Sequence, residues 1–339
     1  MPAEPPSPPD PSAYRPAVAV DERRRRRELQ RQRTVRQRRV VALGGVLATL
    51  AFVVGVVTGA GSGGGDDDGA RSSAGSEEPA PTLPSGKRRL FPDHRVVGFY
   101  GAPQAAELGI LGIGSPDSVA KKLTRQAKPY ATRERPILPA FELLAVIAAN
   151  APGDDDLYRN RQDDAIIRRY LTAARKAKAI LLLDIQPGRA DFLTEAKALE
   201  KWLKEPDVSL ALDPEWRMEA GEIPGQTIGS VDADEVNQVS SYLSGVVREG
   251  NLPEKLMLIH RFTEDMVERP EALEKPPGVV VTLNVDGFGT KEQKLAKYRV
   301  LVPRRFRAGF KLFYREDEGL MSPREVLALR PEPDFVVYE

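Results

Sequence analysis

Two acids and an indole follow directly on an apolar run near the middle of the chain. Residues 208–216 read Val-Ser-Leu-Ala-Leu-Asp-Pro-Glu-Trp. The aliphatic residues predict a buried strand, and Pro214, which lacks an amide proton for sheet pairing, predicts its end. In an extended chain, the carboxylates of Asp213 and Glu215 share one face about 6.5–7 Å apart. We interpret them as a candidate catalytic pair; a simple Asp-Pro turn is the alternative.

Polar and aromatic side chains also follow the other predicted strands. Besides the pair above, the acids and the histidine are Glu142, Asp184, His260, Asp286 and Glu316, and the aromatic residues are Tyr100, Trp216, Tyr314 and Tyr338. The carboxyl ends of parallel barrel strands meet at one end of the fold, so we expect these residues to lie around one mouth. Glycosidic cleavage needs a carboxylic acid and a carboxylate, and sugar faces pack on aromatic rings. The composition therefore favours a glycan ligand.

Roles can be assigned to these residues as expectations. We predict Glu215, Asp213 and Asp184 as catalytic, with Glu215 as the proton donor. Crowding among three carboxyls should keep one of them protonated near neutral pH. Trp216 and Tyr338 are predicted to stack on sugar rings. The remaining predicted substrate contacts are Tyr100, Glu142, His260, Asp286, Tyr314 and Glu316.

The elements that must position these residues alternate between strands and helices over residues 90–339. Eight strand signals occur, and helix starts are marked by Ser115-Pro116, by Thr290 with Gln293, and by Ser322-Pro323. Alternation of this kind and length predicts a (β/α)8 TIM barrel, an α/β fold. An open doubly wound sheet is the alternative, but residues 112–114, Gly-Ile-Gly, lack the third glycine of a dinucleotide-binding loop.

The fourth predicted strand resembles that of the chitinase-like family within a glycoside-hydrolase-type barrel. That family closes the strand with Asp-x-x-Asp-x-Asp-x-Glu, and Asp213 and Glu215 match its last two acids. Val208 and Ala211 stand in place of the first two. The resemblance implies Glu215 as general acid and Asp213 as its orienting partner.

Composition limits the other chemistries. The chain has no cysteine and only two histidines, His94 and His260, so thiolate chemistry is excluded and a zinc site built on paired histidines is not expected. No Gly-x-Ser-x-Gly elbow accompanies His260, which argues against an esterase triad. We predict no cofactor and no metal, with an ion held by Asp184, Asp213 and His260 as the alternative.

The first 89 residues have a different composition. Residues 1–39 are rich in proline and then arginine, which predicts a disordered cytoplasmic tail, and residues 40–60 are an uncharged span long enough to cross a bilayer. The arginine flank predicts a cytoplasmic N-terminus and an extracytoplasmic barrel, so the arginines need no nucleic-acid partner. Residues 61–89 are predicted to be a flexible linker. A cleaved leader ending near residue 60 is the alternative to a single-pass cell-membrane anchor.

The sequence is compatible with two functions. The first is a membrane-anchored, extracytoplasmic hydrolase acting on a cell-envelope or extracellular glycan. The second is a non-catalytic carbohydrate-binding or scaffold barrel of the cell envelope. The two differ in whether Glu215 transfers a proton.

Overall fold

Eight parallel strands form a closed barrel in the computed structural model, which confirms the predicted architecture. The strands are β1 (Arg95–Gly101), β2 (Ile137–Ala148), β3 (Ile180–Ile185), β4 (Val208–Leu212), β5 (Lys255–Arg261), β6 (Val279–Val285), β7 (Arg307–Leu312) and β8 (Phe335–Tyr338). Each strand pairs with the next along the chain, and β8 pairs with β1 to close the ring. No open edge is left in the ring of eight strands.

The structure describes residues 79–302 and 304–339. Within this part of the chain, Pro81–Glu339 form one compact unit. None of the helices described there is both long enough and apolar enough to cross a membrane. The predicted tail, the predicted span at residues 40–60 and most of the predicted linker lie outside the described residues.

Side chains on each strand alternate between two apolar layers, because successive strand residues point to opposite faces. Leu210 and Leu212 of β4 pack between the barrel and the helices, and Ala211 between them faces the barrel interior with Leu182 and Leu258. Both faces of the sheet are therefore buried. This explains why the strands read as continuous aliphatic runs in the sequence.

Seven α-helices lie in the described residues, mostly between strands. They are α1 (Pro116–Ala127), α2 (Asp164–Lys176), α3 (Phe192–Ala198), α4 (Glu200–Leu203), α5 (Ala233–Glu249), α6 (Lys291–Leu301) and α7 (Pro323–Leu327). The capping boxes predicted at Thr290 and Ser322 both form. No capping box forms at the start of α5, because Glu235, three residues after Asp232, instead accepts hydrogen bonds from Phe192 and Arg217. Asp232 alone caps α5.

The chain joins the barrel earlier than the predicted boundary at residue 90. Leu83, Leu90 and Phe91 are buried with the interior residues that begin the strands. Arg88, predicted to lie in the linker, donates to the carbonyls of Asn251 and Leu252. Residues 81–91 therefore cover the amino-terminal end of the barrel and leave the opposite end for a site.

A buried lysine at the start of β5 gives a pH-dependent prediction for stability. Lys255 is fully buried, and its Nζ donates to the carbonyls of Glu205 and Val208 at 2.8 and 2.7 Å. Burial lowers the pKa of Lys255 to about 7, against about 10.4 for a free lysine. Between these values the unfolded chain binds a proton that the folded chain lacks. The free energy of unfolding should therefore rise with pH through this window.

Denaturant unfolding of the wild type and Lys255→Met between pH 7 and 9 measures this effect. The wild type should gain stability relative to the variant by up to about 1.4 kcal/mol per pH unit. The variant lacks this titrating group and serves as the control for all other ionisations. Parallel pH curves for the two proteins would show that the pKa of Lys255 is not lowered.

Candidate active site at the carboxyl-terminal mouth

Polar side chains gather inside the barrel where the strands end. We call this group the mouth cluster; its members are Tyr100, Glu142, Asp184, Asp213, His260, Asn284, Asp286, Lys311 and Glu339. All except Glu339 are buried, and Glu339 is partly exposed. The closed barrel thus brings together, at the predicted end, residues from all eight strands or the residues that directly follow them.

His260 lies between two carboxylates. Its Nε2 is 2.7 Å from Oε1 of Glu142, and its Nδ1 is 3.1 Å from Oδ2 of Asp286. Burial alone would lower the pKa of His260, but Glu142 and Asp286 together raise it well above its usual value. Each ring nitrogen therefore faces one carboxylate.

Lys311 is the second cation of the mouth cluster. Its Nζ is 2.7 Å from Oε2 of Glu339, 3.3 Å from Oδ2 of Asp286, and 3.7 Å from the centre of the Tyr100 ring. Burial opposes its charge, but the surrounding carboxylates raise the pKa of Lys311 above its usual value. For Asp286, burial acts to raise the pKa, and the nearby charges of Lys311 and His260 outweigh it, so that pKa is well below its usual range. Burial also raises the pKa of Glu339.

Asp184 is fully buried at the end of β3. Neither of its oxygens has a hydrogen-bond partner within residues 79–302 and 304–339, and the same is true of Oε2 of Glu142. Burial raises the pKa of Asp184 well above its usual value. Ligand-type atoms of Glu142, Asp184 and His260 all lie within 4.8 Å of one another. These three side chains form the floor of the mouth.

Asp213 and Glu215 do not lie along an extended strand as predicted. The chain turns at Asp213 into a 3-10 helix, Pro214–Trp216, and Oδ1 of Asp213 caps it by accepting from the amide of Glu215 at 3.3 Å. Their exposures are 4% for Asp213 and 8% for Glu215, against 0% for Asp184. Asp184 lies level with Ala211, two residues before Asp213. The pair therefore lies beyond Asp184 along the strands, toward the mouth, and we call it the rim pair.

The other predicted contacts are divided between the mouth and the outer layer. Tyr338 faces the helices, where its hydroxyl is 2.6 Å from that of Tyr130, and Tyr314 stacks on Tyr338 with ring centres 5.2 Å apart. Tyr338 is thus directed away from the acids of the mouth, whereas Tyr314 lines a small cavity with Glu316 and Glu339. Trp216 is partly exposed in the turn after β4.

Several members of the mouth cluster are absent from the sequence prediction. They are Lys311, Asn284 and Glu339, and Gln186 adds a further contact by donating to the hydroxyl of Tyr100 at 3.2 Å. Lys311 has a recognisable signal, because a lysine inside the aliphatic run of β7 must face a polar interior or be paired. Glu339 follows β8 and has the same orientation as Val337, which faces the interior.

No family model and no curated protein matches this chain. Among solved structures, a sialic acid aldolase from Ruminococcus gnavus matches with a TM-score of 0.37 and 12% identity, over 73% of this chain and 68% of that chain. A broad-specificity endoglucanase of family GH5-4 from an uncultured bovine rumen ciliate matches at 0.36 and 10%, over 67% and 80%. A dihydropteroate synthase from Burkholderia cenocepacia matches at 0.35 and 11%, over 73% and 86%. Similarity this low carries no argument about activity, and the barrel is established by its own strand order.

Proposed function

We propose that the barrel is a hydrolase that acts on a glycan at its carboxyl-terminal mouth. The observation that carries the proposal is the charge balance of this end of the barrel. Five carboxyl groups, namely Glu142, Asp184, Asp213, Asp286 and Glu339, are gathered there with two cations, His260 and Lys311. Glycosidic cleavage develops positive charge on the sugar ring, and an acidic surrounding stabilises that charge.

Within this proposal the rim pair performs the proton transfer. Glu215 is more exposed than Asp184, and it follows Asp213 in the turn beyond the end of β4. Asp213 is held by the amide of Glu215, so its carboxylate has a fixed position next to the proposed donor. Glu215 would protonate the leaving oxygen while Asp213 supports its orientation. Trp216, partly exposed beside them, is the candidate for stacking on a sugar ring.

A non-catalytic glycan-binding barrel is the second candidate. It is favoured by the pairing of the deepest charges, since His260 and Lys311 are bonded to Glu142, Asp286 and Glu339. Groups that are paired with one another are held in place and are not available to a substrate. Under this alternative the acids would hold His260 and Lys311 in place and would not transfer a proton to a ligand.

The full-length chain, purified in detergent micelles, should be screened against envelope and storage glycans. Release of reducing ends measures hydrolysis, and calorimetry measures binding. We expect turnover of at least one glycan. Binding without turnover would favour the non-catalytic barrel, and neither binding nor turnover across the panel would overturn both glycan proposals.

We also propose that residues 40–60 anchor the barrel outside the cell membrane. The support is the uncharged span and its arginine flank, which lie outside the described residues. Protease added to intact cells should release a fragment that begins within residues 61–80, because the packed chain starts near Pro81. Lysed cells are the control for protease activity. Full protection in intact cells, with cleavage after lysis, would place the barrel inside.

A further inference from the structure

The floor of the mouth contains acid oxygens that have no hydrogen-bond partner. Asp184 is fully buried, and both of its oxygens lack a partner in the described part of the chain, as does Oε2 of Glu142. A buried polar atom without a partner costs free energy, and such groups in a folded protein call for an explanation. Two acids so placed beside one imidazole suggest a bound cation.

The geometry of the trio fits a small divalent ion. The candidate ligand atoms of Glu142, Asp184 and His260 lie within 4.8 Å of one another. Ions with ligand distances of about 2.0–2.2 Å in a tetrahedral site hold their ligands about 3.3 Å apart. Binding an ion therefore needs side-chain movements of about an ångström, in which Nε2 of His260 and Oε1 of Glu142, now 2.7 Å apart, move away from each other.

His260 is already oriented as a metal ligand would be. Its Nδ1 is 3.1 Å from Oδ2 of Asp286, which leaves Nε2 directed toward Glu142. A ligating histidine characteristically donates its other ring nitrogen to a carboxylate, which fixes the ring and its tautomer. Asp286 is in turn 3.3 Å from Nζ of Lys311, so the orienting carboxylate is itself held in place.

The local charge also favours a cation. When His260 is a neutral ligand, Lys311 is the one remaining cation of the mouth cluster, against the carboxyls of Glu142, Asp184, Asp213, Asp286 and Glu339. A divalent ion would reduce this excess of negative charge. We propose that Glu142, Asp184 and His260 bind one divalent transition-metal ion of the class of Zn²⁺ or Mn²⁺.

The mixed ligand set selects this class of ion. Imidazole nitrogen suits zinc and other transition ions, and carboxylate oxygen suits manganese as well as magnesium and calcium. Calcium requires six to eight oxygen ligands, and magnesium retains several waters, which a fully buried floor does not favour. The ion would fix the floor beneath the rim pair. This site is independent of whether the barrel hydrolyses a glycan.

Metal content and thermal stability of the full-length chain test the site. The protein in detergent is stripped with chelator and then equilibrated with Zn²⁺, Mn²⁺, Mg²⁺ or Ca²⁺. We expect about one Zn²⁺ or Mn²⁺ per chain and a higher melting temperature, because an ion that binds only the folded state stabilises it. Asp184→Asn and Glu142→Gln should weaken the affinity by about 100-fold or more, since even outer-shell changes cost 10–100-fold.

Asp207→Asn is the matched control, because Asp207 is a buried acid near the opposite end of the barrel, paired with Arg175 at 2.7 Å. It should bind the ion as the wild type does. Near-ultraviolet circular dichroism checks that each variant is folded. If neither floor variant folds, the number of ions bound per wild-type chain and the change in its melting temperature test the proposal. The proposal is overturned if the wild type retains neither ion, if both folded floor variants bind like the wild type, or if only Mg²⁺ or Ca²⁺ binds.

Discussion

Removal of residues 333–339 should abolish the cooperative unfolding transition of the barrel. Strand β8 pairs with β7 on one side and with β1 on the other, so its loss opens the ring at both neighbours. All four of its residues, Phe335–Tyr338, are fully buried. Each buried side chain of this size contributes about 1.5–3 kcal/mol, and together they match the 5–15 kcal/mol that stabilise a typical domain. Circular dichroism during thermal unfolding measures the loss.

The variant Glu339→Gln tests the contribution of the carboxylate that follows β8 separately from that of the strand itself. Glu339 pairs with Lys311 at 2.7 Å, and the deletion removes this contact together with the strand. The glutamine variant keeps β8 and leaves Lys311 beside Asp286, so it should retain a sharp transition. A truncated chain that melts like the wild type would show that β8 does not hold the ring closed.

Replacement of Glu215 by glutamine should reduce turnover of any glycan that the barrel hydrolyses by about 10²–10⁴-fold. Glutamine keeps the shape of the side chain but has no proton to give to the leaving oxygen. The backbone contacts of the turn remain, because the carbonyl of residue 215 still accepts from Gly229 and its amide still donates to Asp213. Binding should therefore change little while kcat falls.

Glu219→Gln is the matched control for this substitution. Glu219 lies four residues further along the same segment, and its side chain is 78% exposed. It should leave kcat, binding and melting temperature unchanged. Turnover that survives in Glu215→Gln would assign the proton donor to another residue, with Asp184, whose pKa burial raises, and Glu316 as the next candidates.

The strands were predictable because barrel strands are buried on both faces. The bounds of β4 agree with the predicted run, since Asp213 and Pro214 follow its apolar residues directly. Because both faces are apolar, the sequence does not show which face of the sheet each side chain lies on. Tyr338 follows a run of three apolar residues, and hydrophobicity alone does not say which member of that run faces the helices.

Contacts across the barrel are a second reason why the site was only partly predictable from the sequence. Asp184 and His260 ended predicted strands, so the fold rule placed them in the mouth. The contacts of His260 with Glu142 and Asp286 depend on the ring of strands, which brings β2 across the barrel from β5. The turn at Asp213 was predicted only as the alternative to an extended chain, because a proline after the strand fits an extended chain as well as a 3-10 helix.

Closure of the ring also determines the order in which the barrel can assemble during synthesis. Val96 of β1 pairs with Phe335 of β8, about 240 residues later. At 5–20 residues per second, a ribosome needs on the order of tens of seconds to supply that partner. During this interval one edge of β1 has no strand to pair with, and unpaired edges of parallel sheets favour aggregation. We therefore expect the nascent chain to need chaperone protection until β8 has emerged.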